Sequence, residues 1–178
     1  MKATLRIPAE NGYKDIEVDI TEEELAKLTE PLKSQKPTGY ERTNQGKNYW
    51  LDNFDGEVTC DGDYHTSDSN AAYTTANYYT SEKVAINNSR ADQLMRQLRR
   101  FAVEHRKLDI NWNDQAQLKW HISFNYADHN LYTGSAWIYR VSSVIYFDSK
   151  ETAQAAIEAF YDELIWYFTE YRDSDQNA

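Results

Sequence analysis

Tyr78-Tyr79-Thr80-Ser81, with Ala85 four residues on, and Tyr146-Phe147-Asp148-Ser149, with Ala153 four residues on, are the stretches on which the reading of this chain turns. Each pairs two aromatic residues that suit a strand with an amphipathic stretch that suits a helix. A hairpin pattern precedes each one. In the first copy Tyr49-Trp50-Leu51 runs to an Asp55-Gly56 turn and Val58 follows. In the second, Trp120 to Tyr126 runs to a turn over Ala127 to Asn130, and Leu131-Tyr132 follows. Asp-Gly between apolar runs is a good hairpin signal. An extra aromatic strand, Trp137 to Val141, is expected in the second copy. The expected fold is therefore α+β: antiparallel β-hairpins or meanders, each followed by an amphipathic helix. Two weakly repeated ββ(β)α halves, 47–107 and 108–171, make up the main domain.

The helices follow from apolar periodicity. Ala91, Leu94, Met95, Leu98, Phe101 and Ala102 form one face of a helix expected from Ser81 or Ser89 to His105. Asn87 and Asn88 are poor mid-helix residues, and Ser89 with Asp92 reads as a capping box, so a kink or restart is expected there. Ala153, Ala156, Ile157, Phe160, Leu164, Phe168 and Tyr171 line a second helix from Ser149 to Tyr171, with Asp148 as its N-cap. Ile165 and Trp166 fall outside that line. The helix is thus apolar over a broad arc, which suits a sandwiched position or an interface, including one in a homodimer. Before the main domain, residues 1–32 read as a hairpin with an Asn11-Gly12 turn and a short helix capped by Thr21 and Glu24. Residues 33–46, with Pro37, Gly39, Asn44 and Gly46, read as a linker. Residues 172–178 are polar and expected to be disordered.

Composition narrows the function classes. The net charge is −10, so free nucleic acid is not an expected ligand. An acidic surface suits a protein partner with a basic face, including one that grips nucleic acid. With 14 Tyr and 5 Trp the chain is rich in residues that recur at interfaces and on half-buried sheets. No stretch approaches the ~18 apolar residues a membrane span needs, and the N-terminus lacks a signal pattern. A soluble, cytoplasmic protein is expected. Cys60 is the single cysteine, which excludes an intramolecular disulfide, and a half-buried unreactive thiol is expected.

No glycine-rich phosphate loop, H-E-x-x-H, G-x-S-x-G or paired C-x-x-C is present, and neither catalysis nor a cofactor is expected. Asp61, Asp63, His65 and Asp68 cluster in a turn-rich stretch. A calcium loop needs Gly where Thr66 stands and Glu where Ala72 stands, so a solvated acidic loop is expected instead of a metal site. Asp61, Asp63 and Asp68, with Tyr64, Trp137 and Tyr139 as aromatic anchors, are the expected partner-binding residues. A metal-dependent nuclease using Asp61, Asp63 and His65 is the enzymatic rival. From Ser89 to Lys107 the chain is locally basic, with Arg90, Arg96, Arg99, Arg100, Arg106 and Lys107 against Asp92 and Glu104. Pairs four apart engage Arg96 and Arg100, which leaves Arg90, Arg99 and Arg106 as candidates for a phosphate-bearing ligand.

Several segments carry a family resemblance: Gly39-Tyr40-Glu41-Arg42, Asp55-Gly56-Glu57-Val58, Ala76-Asn77-Tyr78-Tyr79, the helix from Arg90 to Ala102, Ile110-Asn111-Trp112-Asn113-Asp114 and Ile145-Tyr146-Phe147-Asp148-Ser149. In these the chain resembles a group of small proteins encoded by phages and prophages. The resemblance supplies a genomic setting and no catalytic residues. It implies an accessory protein that counters host defence, either by binding an effector as anti-CRISPR proteins do or by sequestering a nucleotide signal. A structural or regulatory phage protein is the further alternative.

Overall fold

Trp50 and Trp120 each pair with a strand on one side and with a single bridging aromatic residue on the other, and this shared feature organises the two halves. A computed structural model of the protein describes residues 2–9, 12–33, 37–53 and 55–171. The expected tail 172–178 lies outside them. The chain divides between Thr38 and Gly39 into two units.

The first unit contains β1 (Lys2–Ala9), β2 (Gly12–Asp19) and α1 (Glu22–Lys33). The strands pair antiparallel from Lys2 opposite Asp19 to Ala9 opposite Gly12, so Gly12 of the expected turn belongs to β2, while Asn11 lies outside the described residues. Thr21 and Glu24 form the expected capping box. The Thr21 amide donates to Glu24 Oε2 at 2.9 Å, and the Glu24 amide donates to Thr21 Oγ1 at 3.2 Å.

The second unit holds both halves. The first comprises β3 (Asn48–Asp52), β4 (Val58–Gly62), α2 (Ser67–Thr74) and α3 (Glu82–Glu104). The second comprises β5 (Lys119–Asn125), β6 (Asn130–Ala136), α4 (Lys150–Ala159), α5 (Tyr161–Trp166) and a π-helical turn, Tyr167–Tyr171. Mixed α and β elements in the order hairpin then helix, twice over, match the expected fold. Trp50 sits opposite Cys60 on β4 and also bridges Tyr79, with backbone bonds of 2.8 and 2.9 Å. Trp120 sits opposite Ser135 on β6 and bridges Phe147 at 3.0 and 2.7 Å. The third strand of each half is thus a single residue drawn from the repeated aromatic motif. Two residues on, Ser81 and Ser149 accept from the amides of Val84 and Thr152 and open α3 and α4.

The core forms where α3 meets the second half. Leu94, Leu98 and Ala102 of α3 pack with Phe147, Ala153, Ala156, Ile157 and Leu164, all buried. These are the apolar positions the periodicity assigns. Trp120, Ile122 and Leu131 of the second hairpin pack against the cluster. On the first half, buried Ser89 of α3 anchors the other hairpin. Its hydroxyl donates to Asp52 Oδ1 at 2.9 Å and lies 3.1 Å from the Gly56 carbonyl. Gly56 has φ +86°, a conformation that favours glycine, and a Cβ there would meet the end of the Gln93 side chain at 2.5 Å and displace it.

Five expectations need correction. Residues 137–141 form no strand: β6 ends at Ala136 opposite Lys119, where β5 begins, and on the other side of β5 it is Phe147 that bridges Trp120. Ser89 neither kinks nor restarts α3, which is continuous, because its hydroxyl is spent on the hairpin. The N-cap of α4 is Ser149 and not Asp148. Asp148 instead accepts from the amides of Lys107 and Leu108 at 2.7 and 2.9 Å and ties down the chain leaving α3. The last helix is interrupted at Phe160 (φ −124°, ψ 26°) with no proline or glycine to mark it. Cys60 is exposed. In addition, α2 lies where an irregular loop was expected, opened by Thr66, whose side chain accepts from the Ser69 amide.

Candidate functional site

The expected acidic site is divided by burial. Asp61 and Asp68 are exposed and Tyr64 lies exposed beside Gly62, but Asp63 is fully buried. Arg42 clamps it through Nε and Nη2 at 2.9 and 3.2 Å, a bidentate geometry. The Tyr78 hydroxyl donates to Asp63 Oδ2 at 2.9 Å, and the His65 amide donates to Oδ1 at 2.8 Å. The Arg42 guanidinium, helped by these donors, holds the Asp63 carboxyl well below the usual carboxylate range against the opposing effect of burial. Asp63 therefore belongs to the interior and not to a partner surface, which corrects the expectation for that residue.

The ion pair is walled by aromatic rings. Tyr49 and Tyr78 stack at 4.2 Å, Tyr73 meets Tyr78 edge-on at 5.4 Å, and the Arg42 guanidinium lies 5.3 Å from the Tyr73 ring centre. Burial pushes the Tyr49 hydroxyl up, and burial with the nearby Tyr40 takes that of Tyr79 to about 12. This cluster is a structural lock, closed to solvent at Asp63, Tyr49 and Tyr78. Among the described residues, no group of three or more His, Cys, Asp or Glu side chains is placed to hold a metal ion. Asp61, Asp63 and His65 are thus not brought together as a nuclease site requires.

The basic helix is also rearranged relative to expectation. Arg90 is committed: it bonds Glu163 bidentately at 2.8 and 3.0 Å, and its guanidinium lies 3.9 Å from the Trp166 ring centre. This contact accounts for the broad apolar arc of the last helix, because Trp166 is buried against Arg90 and the Tyr171 ring. Arg106 pairs with Asp109 at 3.4 Å. Arg90 and Arg99 are nine residues apart, which on an α-helix puts them on opposite faces, so Arg90, Arg99 and Arg106 do not converge. The arginines that share an open cleft are Arg96 and Arg100, one turn apart and exposed, with Gln93, Gln97, Gly56 and Asp55. Spacing alone points to that pair, but helical (i, i+4) pairing with Asp92 and Glu104 discounts both. Arg100 does reach Glu104, at only 3.9 Å and in solvent, where such a pair is weak.

The expected aromatic anchors of the second half stand at the surface. Trp137 is 62% exposed, Ile138 50%, Tyr139 79% and Val141 52%. The segment is nonetheless held at both ends. Fully buried Lys119 donates through Nζ to the Trp137 and Asp114 carbonyls and lies 5.5 Å from the Trp112 ring centre. The Val141 amide donates to the Tyr146 hydroxyl at 3.0 Å. Lys119 occupies the position before Trp120 that Tyr49 holds before Trp50, so a buried lysine in the second half stands where the first half has a buried tyrosine. The strand expected from the sequence begins at Trp120 and gives Lys119 no role; alternation along β5 puts Lys119 on the face opposite Trp120 and Ile122, so its burial was not legible from the pattern.

No protein-family model, curated protein or solved structure matches the chain. Among the described residues, no helix is long and apolar enough to cross a membrane.

Proposed function

We propose that this chain is a non-enzymatic binding protein of the phage or prophage accessory type, acting in the host cytoplasm. In this reading it inhibits a host antiviral defence complex in the manner of an anti-CRISPR protein. The observation that carries the reading is the segment Trp137–Val141, with four large apolar side chains half or more exposed on a backbone tied down at both ends. Exposed apolar patches on soluble chains mark contact sites, and aromatic anchors carry most of the energy of protein interfaces. A net charge of −10 supports a partner whose contact surface is basic, such as a nucleic-acid-binding groove. Asp61, Asp68 and Tyr64 supply the polar side of the same reading.

The test is affinity capture from bacterial lysates carrying defined defence systems, after nuclease treatment. The reading expects a near-stoichiometric partner that binds the wild type and is lost from the Trp137→Ala/Tyr139→Ala double variant. A partner retained equally by the variant, or no partner in any defined system, removes it.

A second reading, sequestration of a nucleotide signal, is favoured by the cleft of Arg96 and Arg100 with Gln93 and Gln97. A thermal-shift panel of cyclic and linear nucleotides tests it, and a flat response for the wild type rejects it. A homodimeric structural or regulatory phage protein is weakened by Trp166, whose apolar surface is already covered within the chain. Light scattering decides that point.

A further inference from the structure

Between the second hairpin, α3 and the helical end of the chain lies a cavity of about 430 Å³. That volume falls in the range of small-molecule sites. Leu98 of α3, Phe124 of β5, Leu164 of α5 and Phe168 of the π-helical turn contribute its apolar wall, and Val144 and Ser143 close another side. No Lys, Arg, Asp or Glu is among the lining residues. A phosphate or carboxylate entering it would lose its hydration with no cation to replace it, so the wall selects against charge.

Polar groups interrupt the apolar wall, among them the hydroxyl-bearing Tyr126, Tyr132 and Tyr167. Ser123 and Ser143 present hydroxyl groups. The His121 imidazole lines the cavity, and its Nδ1 is buried with no hydrogen-bond partner among the described residues. A buried polar atom without a partner is uncommon in native proteins and calls for an explanation. Burial pushes the His121 pKa down, which keeps the ring neutral and leaves one nitrogen able to accept. The ring is held from behind: a Cβ at Gly134, directly opposite on β6, would sit 2.6 Å from His121 Nε2, so only glycine lets the imidazole lie against that strand.

The π-helical turn strengthens the case. Such turns are uncommon and recur at functional sites. This one supplies Tyr167 and Phe168 to the wall, and the Tyr126 hydroxyl at the hairpin tip donates to the Phe168 carbonyl at 3.1 Å, pinning the turn across the cavity.

We propose that this cavity is a binding site for an uncharged, largely apolar aromatic small molecule whose single hydrogen-bond donor pairs with His121. None of Trp137–Val141 lines the cavity, although the Val144 amide donates to the Val141 carbonyl at 3.2 Å, and the site differs in chemistry from the arginine cleft.

The probe is N-phenyl-1-naphthylamine, an uncharged aromatic amine with one N–H, titrated into the full chain and read by fluorescence. Saturable binding at one site per chain is expected. Val144→Trp, which fills the cavity, abolishes it, and Ser143→Trp at the exposed rim serves if the first variant fails to fold. His121→Phe keeps the shape and weakens binding by about three- to tenfold, the worth of one neutral hydrogen bond. The same variant leaves the affinity for the N-methyl derivative of the probe unchanged. The sulfonated analogue 1-anilinonaphthalene-8-sulfonate binds about tenfold more weakly, or worse, for lack of a cation. Absence of saturable binding, binding that survives both tryptophan variants, or equal affinity for the sulfonate overturns the proposal. A dimer in light scattering that the probe dissociates overturns it too, by showing that a second copy fills the cavity.

Discussion

Tyr78→Phe removes one oxygen atom from the Arg42–Asp63 lock, and the structure gives its cost. The Tyr78 hydroxyl donates to Asp63 at 2.9 Å, accepts from the Thr43 amide at 3.1 Å and shares a hydrogen with Thr43 Oγ1 at 2.6 Å. Tyr78 is fully buried, so water cannot take the place of the lost oxygen. A hydrogen bond to a charged acceptor contributes about 1.5–3 kcal/mol, and a buried amide left unpaired costs about 1–3 kcal/mol. Thr43 is only half-buried, which brings the expected total to about 2–4 kcal/mol. For a unit of roughly 140 residues, the usual unfolding entropy converts this to a fall of about 7–14 °C in Tm. The assay is calorimetric unfolding at neutral pH, with Tyr146→Phe as internal control. Tyr146 is the counterpart of Tyr78 in the second half, but its hydroxyl accepts, among the described residues, from the amide of exposed Val141. That control is expected to cost about 1 kcal/mol or less. If Tyr78→Phe costs no more than Tyr146→Phe, the buried lock contributes nothing special and the reasoning is refuted.

Asp63 has a depressed folded pKa, so its contribution is complete above the unfolded carboxylate value of about 3.9 and is lost as pH falls from there through the folded value. Acid titration of stability should therefore show wild-type loss below about pH 4, with a smaller loss in Tyr78→Phe, whose carboxylate has one donor fewer. Ser89→Ala should cost about 1–3 kcal/mol by leaving the Asp52 carboxylate and Gly56 carbonyl without their shared hydroxyl, and hydrogen exchange should quicken most in β3 and β4. Asp61→Lys/Asp68→Lys should leave Tm within a few degrees of wild type while weakening binding to a basic partner, whereas Asp63→Lys should not give a folded chain. Equal thermal losses in these two variants would contradict the assignment of Asp63 to the interior.

Local chemistry made much of the architecture legible. Asp55-Gly56 marks its hairpin because few residues tolerate the positive φ that the turn requires. Thr21 and Glu24 mark a helix start because both partners of the capping box lie within four residues. The apolar faces of α3 and α4 follow from a period that any buried helix must respect. The doubled motif at Tyr78 and Tyr146 was visible for a related reason: each copy ends a strand and begins a helix within four residues, and local sequence specifies both.

What the sequence hid lies at long range. Asp63 reads like its neighbours Asp61 and Asp68, and Arg42, 21 residues away, and Tyr78, 15 residues away, distinguish it. Arg90 reads like Arg99, yet its partner Glu163 is 73 residues distant. The break at Phe160 has no residue to announce it. Trp137 to Tyr139 have strand-forming side chains, but they follow the end of β6 at Ala136, opposite the first residue of β5, and join no strand.

Sequence alone determined the order of elements, their faces and the repeat, because those depend on neighbours a few bonds away. The tertiary structure decided which charges are buried, which aromatics face out and where a cavity remains. The physical reason is that the free energy of a charge or an exposed ring is set by what packs against it, and packing brings together residues the chain keeps far apart.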